Sequence, residues 1–235
     1  MEMVFGFLGN LTNIITLAES NGGIFSFLWE TMGSFLRFFY NITGDWGLAI
    51  ILLTLVLKLI LYPSSVKQNK SMQDMQRIQP EIKEIQNKYK DDKQTQQQKM
   101  MELYKKYNIN PLSSCLPLLI QLPILIALFQ TIIRLEDLQG ASFLWMASLG
   151  EPDLPLAILT GVTMFLQTHL QQKWSGAPAN PQTKTMGMVM PVLIVFFGMS
   201  LPSGVLVYWF TSNLAMIGQQ YLIYRRQEVA KGESS

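Results

Sequence analysis

Residues 46–66 read WGLAIILLTLVLKLILYPSSV. A helix that spans a bilayer needs about 20 mostly apolar residues, and this run supplies them without Asp or Glu. Similar runs follow at 111–133, 154–171, 185–201 and 204–224, with Pro202 and Gly204 marking the break between the last two. The whole chain of 235 residues is 49% hydrophobic and only 14% charged, with a net charge of +2. Soluble domains carry about 25% charged residues. A soluble globular domain and a disordered chain are both disfavoured by these numbers, and a charge this small gives no case for sequence-specific nucleic-acid binding. One cysteine, Cys115, and one histidine, His169, leave no disulfide framework, no metal cluster and no catalytic pair. No phosphate-binding loop, nucleophile elbow or dinucleotide fingerprint occurs. The expectation is a non-enzymatic membrane protein without cofactor or metal.

Charge placement orients the spans. Ten Lys and Arg residues, from Lys67 to Lys106, fall between the first run and the second. Lys173 and Lys184 lie between the third and fourth, and Arg225, Arg226 and Lys231 follow the fifth. The loop after Arg134 instead carries Glu136, Asp137, Glu151 and Asp153, with no Lys or Arg. Five spans place all the basic segments on the cytoplasmic side, with the N-terminus outside and residues 225–235 as a cytoplasmic tail. Residues 3–18 are fairly apolar but broken by Asn10, Thr12 and Asn13, and lack the basic start of a signal peptide. A sixth span there is the less favoured reading. Within residues 1–45, Phe25, Leu28, Trp29, Met32, Phe35, Leu36 and Phe39 recur at helical spacing, which predicts an amphipathic helix in the membrane interface.

Residues 67–107 form the long polar stretch. Met75, Ile78, Ile82, Ile85 and Tyr89 repeat at three- and four-residue spacing, and Met100, Leu103, Tyr104 and Tyr107 form a second stripe. Two such helices with a short connection predict a cytoplasmic antiparallel hairpin. A solvated structural hairpin is one reading. The other is a client-contacting platform, favoured by Met72, Met75, Met100 and Met101, since methionine adapts to varied partners.

Lys58 is the decisive polar residue. It lies nine residues before Lys67, roughly 13 Å from the cytoplasmic end at 1.5 Å per residue. A lysine near the centre of a span costs about 2.5–3.5 kcal/mol on insertion scales. Thr54, Lys58, Tyr62 and Ser65 share one helical stripe, and no carboxylate lies in any apolar run to pair with the ammonium. Unpaired buried charge is costly, so a hydrated cavity open to the cytoplasm is the expected environment. Gln121 lies at similar depth on the second span; Thr160, Thr163, Gln167 and Gln171 line the third, and Asn213 and Gln220 the fifth. Interhelical hydrogen bonding alone would account for any one of these; their combination with Lys58 points to the cavity.

The stretches WGLAIILLTLVLKLILYP, QPEIK (79–83), PLLIQLP (117–123) and PSGVLVYWFTSN (202–213) stand in an order and spacing that resembles the YidC/Oxa/Alb family of membrane protein insertases. The resemblance covers about Trp46 to Tyr224. It implies an all-α fold with a five-span core, in a bacterial plasma membrane. It also implies movement of client segments from cytoplasm to bilayer through a hydrophilic, positively charged groove. Its groove cation falls on Lys58 and the neighbouring polar position on Thr54; client-contacting positions fall on Tyr208 and Trp209, and Gln121 sits in the family's proline-flanked motif. The implied partners are newly made membrane proteins and lipid, with the Sec translocon and the ribosome left open. Three departures stand out. The family usually has Arg where this chain has Lys58, which keeps the charge but loses the planar fork. The lipoprotein-type N-terminal signal is absent from this sequence. The tail mixes Arg225, Arg226 and Lys231 with Glu228 and Glu233, which gives little support for tail-mediated ribosome binding. An assembly scaffold and a small-solute transporter are the alternative functions, although no repeat between the halves supports a transporter.

Overall fold

The computed structural model describes residues 24–109, 116–175 and 181–232. The apolar run at residues 3–18, Pro111 and Cys115 lie outside the described residues. The described chain is helical: Ile24–Thr43 (α1), Trp46–Ile60 (α2), Tyr62–Arg77 (α3), Gln79–Lys88 (α4), Lys93–Lys106 (α5), Leu116–Arg134 (α6), Glu136–Gln139 (α7), Leu154–Ser175 (α8), Pro181–Gly198 (α9) and Ser203–Gly232 (α10).

Helix boundaries follow from caps and prolines. Asp45 starts α2 by accepting from the Leu48 amide at 2.9 Å. Leu61 then separates α2 from α3 with a bend of 61°. Pro63 has no N–H for the carbonyl of Leu59 and disfavours helical geometry at Tyr62, so the run at 46–66 is broken rather than straight. Pro80 acts in the same way at the start of α4. The seam from Met75 to Tyr89 therefore lies on two helices, α3 and α4, instead of one. Asp92 caps α5 through the Thr95 amide at 3.0 Å and the Thr95 hydroxyl. The hydroxyl hydrogen bond, followed by the amide, holds the Asp92 carboxyl below the usual carboxylate range.

Among the described residues no single helix is long and apolar enough to cross a membrane alone. Trp46–Ile60 and Tyr62–Met75 reach that length and composition only together, across the bend. Gln121–Arg134 and Gly187–Gly198 are shorter apolar helices. In α8 the polar residues Thr160, Thr163, Gln167, Thr168, His169 and Gln171 dilute the apolar run. Several helices also overrun the boundaries read from hydropathy, since α8 continues to Ser175 and α10 to Gly232.

The long helix α10 is the centre of the bundle and packs on α8, α2 and α6. Helix α9 packs on α8, while α1 packs on α2 and α6. Ile50, Leu53, Leu128, Ile132, Leu149 and Leu206 form the middle of the main core. On α1, Met32 and Leu36 are buried, and Leu28, Trp29 and Phe39 pack against this core. Phe35 instead points outward, with Phe27, Phe38 and Ile42. Thr131 donates to the Trp29 carbonyl at 3.2 Å, and the Arg134 guanidinium lies 4.3 Å from the Trp29 ring centre.

The segment between α7 and α8 closes one end of the core. Phe143 and Met146 exchange backbone hydrogen bonds, and both side chains are buried. A Cβ on Gly47 would fall inside the Phe143 ring, so glycine is what lets this aromatic seat on α2. Gly47→Ala should displace Phe143 and destabilise the protein by about 1–3 kcal/mol, the usual range for overpacking a core. Thermal unfolding in detergent would show a lowered midpoint; an unchanged midpoint would mean that the ring moves freely aside. A second close approach joins α8 to α9, where Gly161 faces the Val195 side chain and the Pro191 carbonyl.

Helices α4 and α5 form a separate small unit. Ile78, Ile82 and Leu103 are its buried centre, flanked by Met75, Ile85, Met100, Tyr104 and Ile109. The pair is antiparallel: Gln96 donates to the Gln86 carbonyl near the connection, and Tyr107 donates to Glu81 at the far end.

Candidate functional site

Buried polar residues converge on α10. Thr54 is fully buried on α2, and its hydroxyl donates to the Ile50 carbonyl at 2.6 Å. Lys58 lies one turn further along and is only 8% exposed. Its ammonium has neither a hydrogen bond nor an ion pair among the described residues. The three ion pairs among them, Arg77–Asp74, Lys99–Glu102 and Lys106–Glu81, all lie on α3 to α5. Lys58 thus has no counter-charge among the described residues.

Gln219 is the residue that sequence reading missed. Its amide donates to the backbone carbonyl of Lys58 at 2.8 Å. That carbonyl lies at the end of α2, where the helix breaks before Pro63 and loses its regular donors. An interhelical amide thereby satisfies the frayed end of α2 and fixes the backbone that carries the ammonium. No local signal marks this pairing, because the two residues are 161 positions apart. Gln219→Leu should leave a part-buried carbonyl unpaired, at a cost of about 1 kcal/mol. Alkylation of a Lys58→Cys probe should then change rate in the Gln219→Leu background. An identical rate would show that the clamp does not set the position of residue 58.

The other residues of the expected groove fall into three groups along α10. Gln121 on α6 donates to the Tyr208 hydroxyl at 3.0 Å. Tyr208 is 2% exposed, so its ring belongs to the core and its hydroxyl orients Gln121. Trp209 is partly buried and packs against the same core. Further along, Asn213 donates to the Thr163 hydroxyl at 3.2 Å and to the Thr160 carbonyl at 3.4 Å, tying α10 to α8. Gln167 then contacts Gln171 and the Met216 sulfur, and Gln171 donates to the Met72 sulfur on α3. Gln220 is buried at this end, and its Oε1 has no hydrogen-bond partner among the described residues. A small cleft lined by Asn69, Met72, Gln73, Gln171, Trp174, Gln220 and Tyr224 opens here. Lys58 and Thr54 do not line it. Of the hairpin residues, Met72 reaches this cleft, Ile78 and Ile82 fill the small core, and Met75, Ile85 and Met100 flank it.

The polar interior has an apolar exterior. Leu55, Leu59 and Ile60 on α2, Ile158, Val162, Phe165 and Leu166 on α8, and Val189, Val192 and Phe196 on α9 are exposed. Thr54, Lys58, Thr160, Thr163, Ser212, Asn213 and Gln220 are buried. A soluble domain shows the reverse arrangement, and exposed apolar area of this extent needs an apolar surrounding. The fold and site therefore define a helical membrane protein with a polar seam inside its bundle. Residues 38–231 match the 60Kd inner membrane protein family, and the chain belongs to that family. It is 44% identical over 224 residues to proteins named membrane protein insertase YidC from Francisella tularensis subsp. novicida (strain U112) and subsp. tularensis (strain WY96-3418). Each match covers 92% of this chain and 40% of the relative. The chain thus spans about two fifths of the length of these curated relatives. A crystal structure described as an active YidC insertase with its first transmembrane domain resolved superposes with a TM-score of 0.68 at 32% identity. That match covers 85% of this chain and 47% of the other.

Proposed function

We propose that this chain is a membrane protein insertase without covalent chemistry. Five spans, from α2 with the start of α3, α6, α8, α9 and α10, cross a bacterial plasma membrane. The N-terminus lies outside, and the α4–α5 hairpin and the tail lie in the cytoplasm. Helix α1 lies in the outer interface, consistent with its outward Phe27, Phe35, Phe38 and Ile42. A client's short translocated segment is drawn toward Lys58, and water and amides hydrate it part-way across. The client's apolar segment then partitions into lipid, and its transfer free energy drives the step. The hairpin receives the client first.

The single observation that carries this reading is the inverted pattern of burial around an ammonium with no counter-charge among the described residues. A structural cation would be paired; one with no anionic partner among the described residues is available to a mobile anionic group. Membership of the family and the names of the relatives support the same reading. Liposomes containing only this protein provide the test. A small single-span client with a short acidic tail should become protease-protected in them and remain accessible in empty liposomes. Equal protection in both would overturn the insertase reading. Binding of the client without protection would favour an assembly scaffold.

A further inference from the structure

Between α7 and α8 the chain reverses in a tight turn at residues 143–146. The amide of Phe143 donates to the Met146 carbonyl at 3.0 Å, and the amide of Met146 donates to the Phe143 carbonyl at 2.9 Å. These two outer residues are buried in the main core. The two central residues are the reverse: Leu144 is 75% exposed and Trp145 54%. Leu144 also has φ 53°, in the left-handed region. That backbone disfavours any residue with a Cβ, and a two-residue hairpin turn with positive φ at its first central position usually has glycine there. Glycine or a polar residue would suit such a turn in water. A large apolar side chain held in a disfavoured backbone, mostly outside the protein, points to a contact beyond the chain.

Three observations identify that contact as lipid. The Trp145 indole N–H donates to Asp153 Oδ1 at 3.2 Å, so its polar edge is satisfied within the protein and the ring can enter an apolar medium. The same oxygen accepts from the Leu156 amide at 2.7 Å, which places the indole beside the first turn of α8. From there Leu154, Ile158, Val162 and Phe165 follow at four- and three-residue spacing and are exposed, so the turn continues the apolar exterior of that helix. Residues 135–172 hold no Lys or Arg, while Glu136, Asp137, Glu151 and Asp153 lie in this segment. It therefore offers no cation to an acidic partner or an anionic headgroup, and its contact is apolar. The turn is firmly mounted. Its base is closed by the Leu149 amide on the Ala141 carbonyl at 2.8 Å. The start of α10 is tied to it through the amides of Gly204 and Ser203 on the Leu149 and Glu151 carbonyls, at 2.9 and 2.8 Å. We propose that Leu144 and Trp145 form a foot that inserts into the headgroup–acyl boundary of the outer leaflet and sets the depth of α8 and α10. The foot goes beyond the insertase reading and rests on it for the placement of the bundle in the membrane.

The test uses the full chain with Cys115→Ala and one added cysteine, Leu144→Cys, Val162→Cys or Asp137→Cys. Each carries an environment-sensitive nitrobenzoxadiazole label in phosphatidylcholine vesicles. The quenchers are phosphatidylcholine with a nitroxide near the headgroup, the same lipid with a nitroxide near the chain end, and iodide in the water. The probe at 144 should be quenched best by the shallow nitroxide, that at 162 by the deep one, and that at 137 by iodide alone. Leu144→Gly fits the left-handed backbone. It should keep the thermal unfolding midpoint in detergent, yet remove shallow quenching from a label on Trp145→Cys. A lowered midpoint would give Leu144 a structural part and overturn the foot, as would retained quenching at 145. Iodide quenching at 144 equal to that at 137, with deep quenching intact at 162, would overturn the foot and leave the bundle in the membrane. Absence of nitroxide quenching at 162 would overturn the membrane placement itself.

Discussion

Lys58→Ala should reduce insertion of a client with an acidic translocated segment by about ten- to a hundredfold. The estimate comes from Coulomb attraction. Two unit charges at 4 Å interact by about 4 kcal/mol at an effective dielectric constant of 20, and each 1.4 kcal/mol is a factor of ten. The hydration proposed for the groove would reduce this, which leaves about one to two orders of magnitude. Lys58→Arg should stay within about threefold of the parent, since the charge is kept and the donor geometry changes. A client whose translocated segment is neutral should lose little in Lys58→Ala. The comparison is made in liposomes with matched clients that differ only in those acidic residues. Equal losses for both clients would assign Lys58 a structural part and sink the electrostatic one. Gln219 makes the contrast informative. It holds the residue-58 backbone through a carbonyl, which alanine retains, so the substitution removes the charge and not the clamp.

Ile82→Ala should open the α4–α5 hairpin while the bundle stays folded. Ile82 is 5% exposed in a core whose buried members among the described residues are Ile78, Ile82 and Leu103. Truncating a buried isoleucine to alanine costs about 2–5 kcal/mol. A unit this small has little surplus to absorb the loss. Hydrogen exchange should therefore quicken at least about thirtyfold across residues 79–106, the factor that about 2 kcal/mol implies. Amides of the main core, around Leu128 and Leu206, should change less than about twofold if the two units are independent. Loss of protection in both regions together would show one cooperative unit and refute the separation. If the hairpin is the receiving platform, the same variant should slow insertion in proportion to its opening.

Much of the helical content was legible because helices are written in local periodicity. The spacing of Ile78 and Ile82 marks the side they bury, and the stripe of Thr54 and Lys58 marks a shared polar face. Breaks were harder to read. Pro63 and Pro80 were visible, yet the apolar run continues through Leu61 and the seam continues through Ile78. Hydropathy therefore drew single segments where the backbone is in two. Phe35 was read on one apolar face of α1 together with Met32 and Leu36, although that helix is apolar on more than one side and its neighbours α2 and α6 bury Met32 and Leu36 and leave Phe35 outside. The polar residues at depth were all nameable from the sequence. Their partners were not.

What the sequence alone determined is the inventory: helices, an asymmetric distribution of basic residues, and one lysine in an apolar run with no carboxylate beside it. These follow from composition and from neighbours within a few turns. Only the tertiary structure decided how the inventory is paired. Gln219 meets the Lys58 carbonyl across 161 positions, and Gln121 meets Tyr208 across 87. Phe143 fills the space left by Gly47, and Gln220 Oε1 has no donor among the described residues. Such pairings depend on how each helix is rotated and how deeply it packs. That is fixed by the whole set of contacts around α10, and no local stretch of sequence contains it.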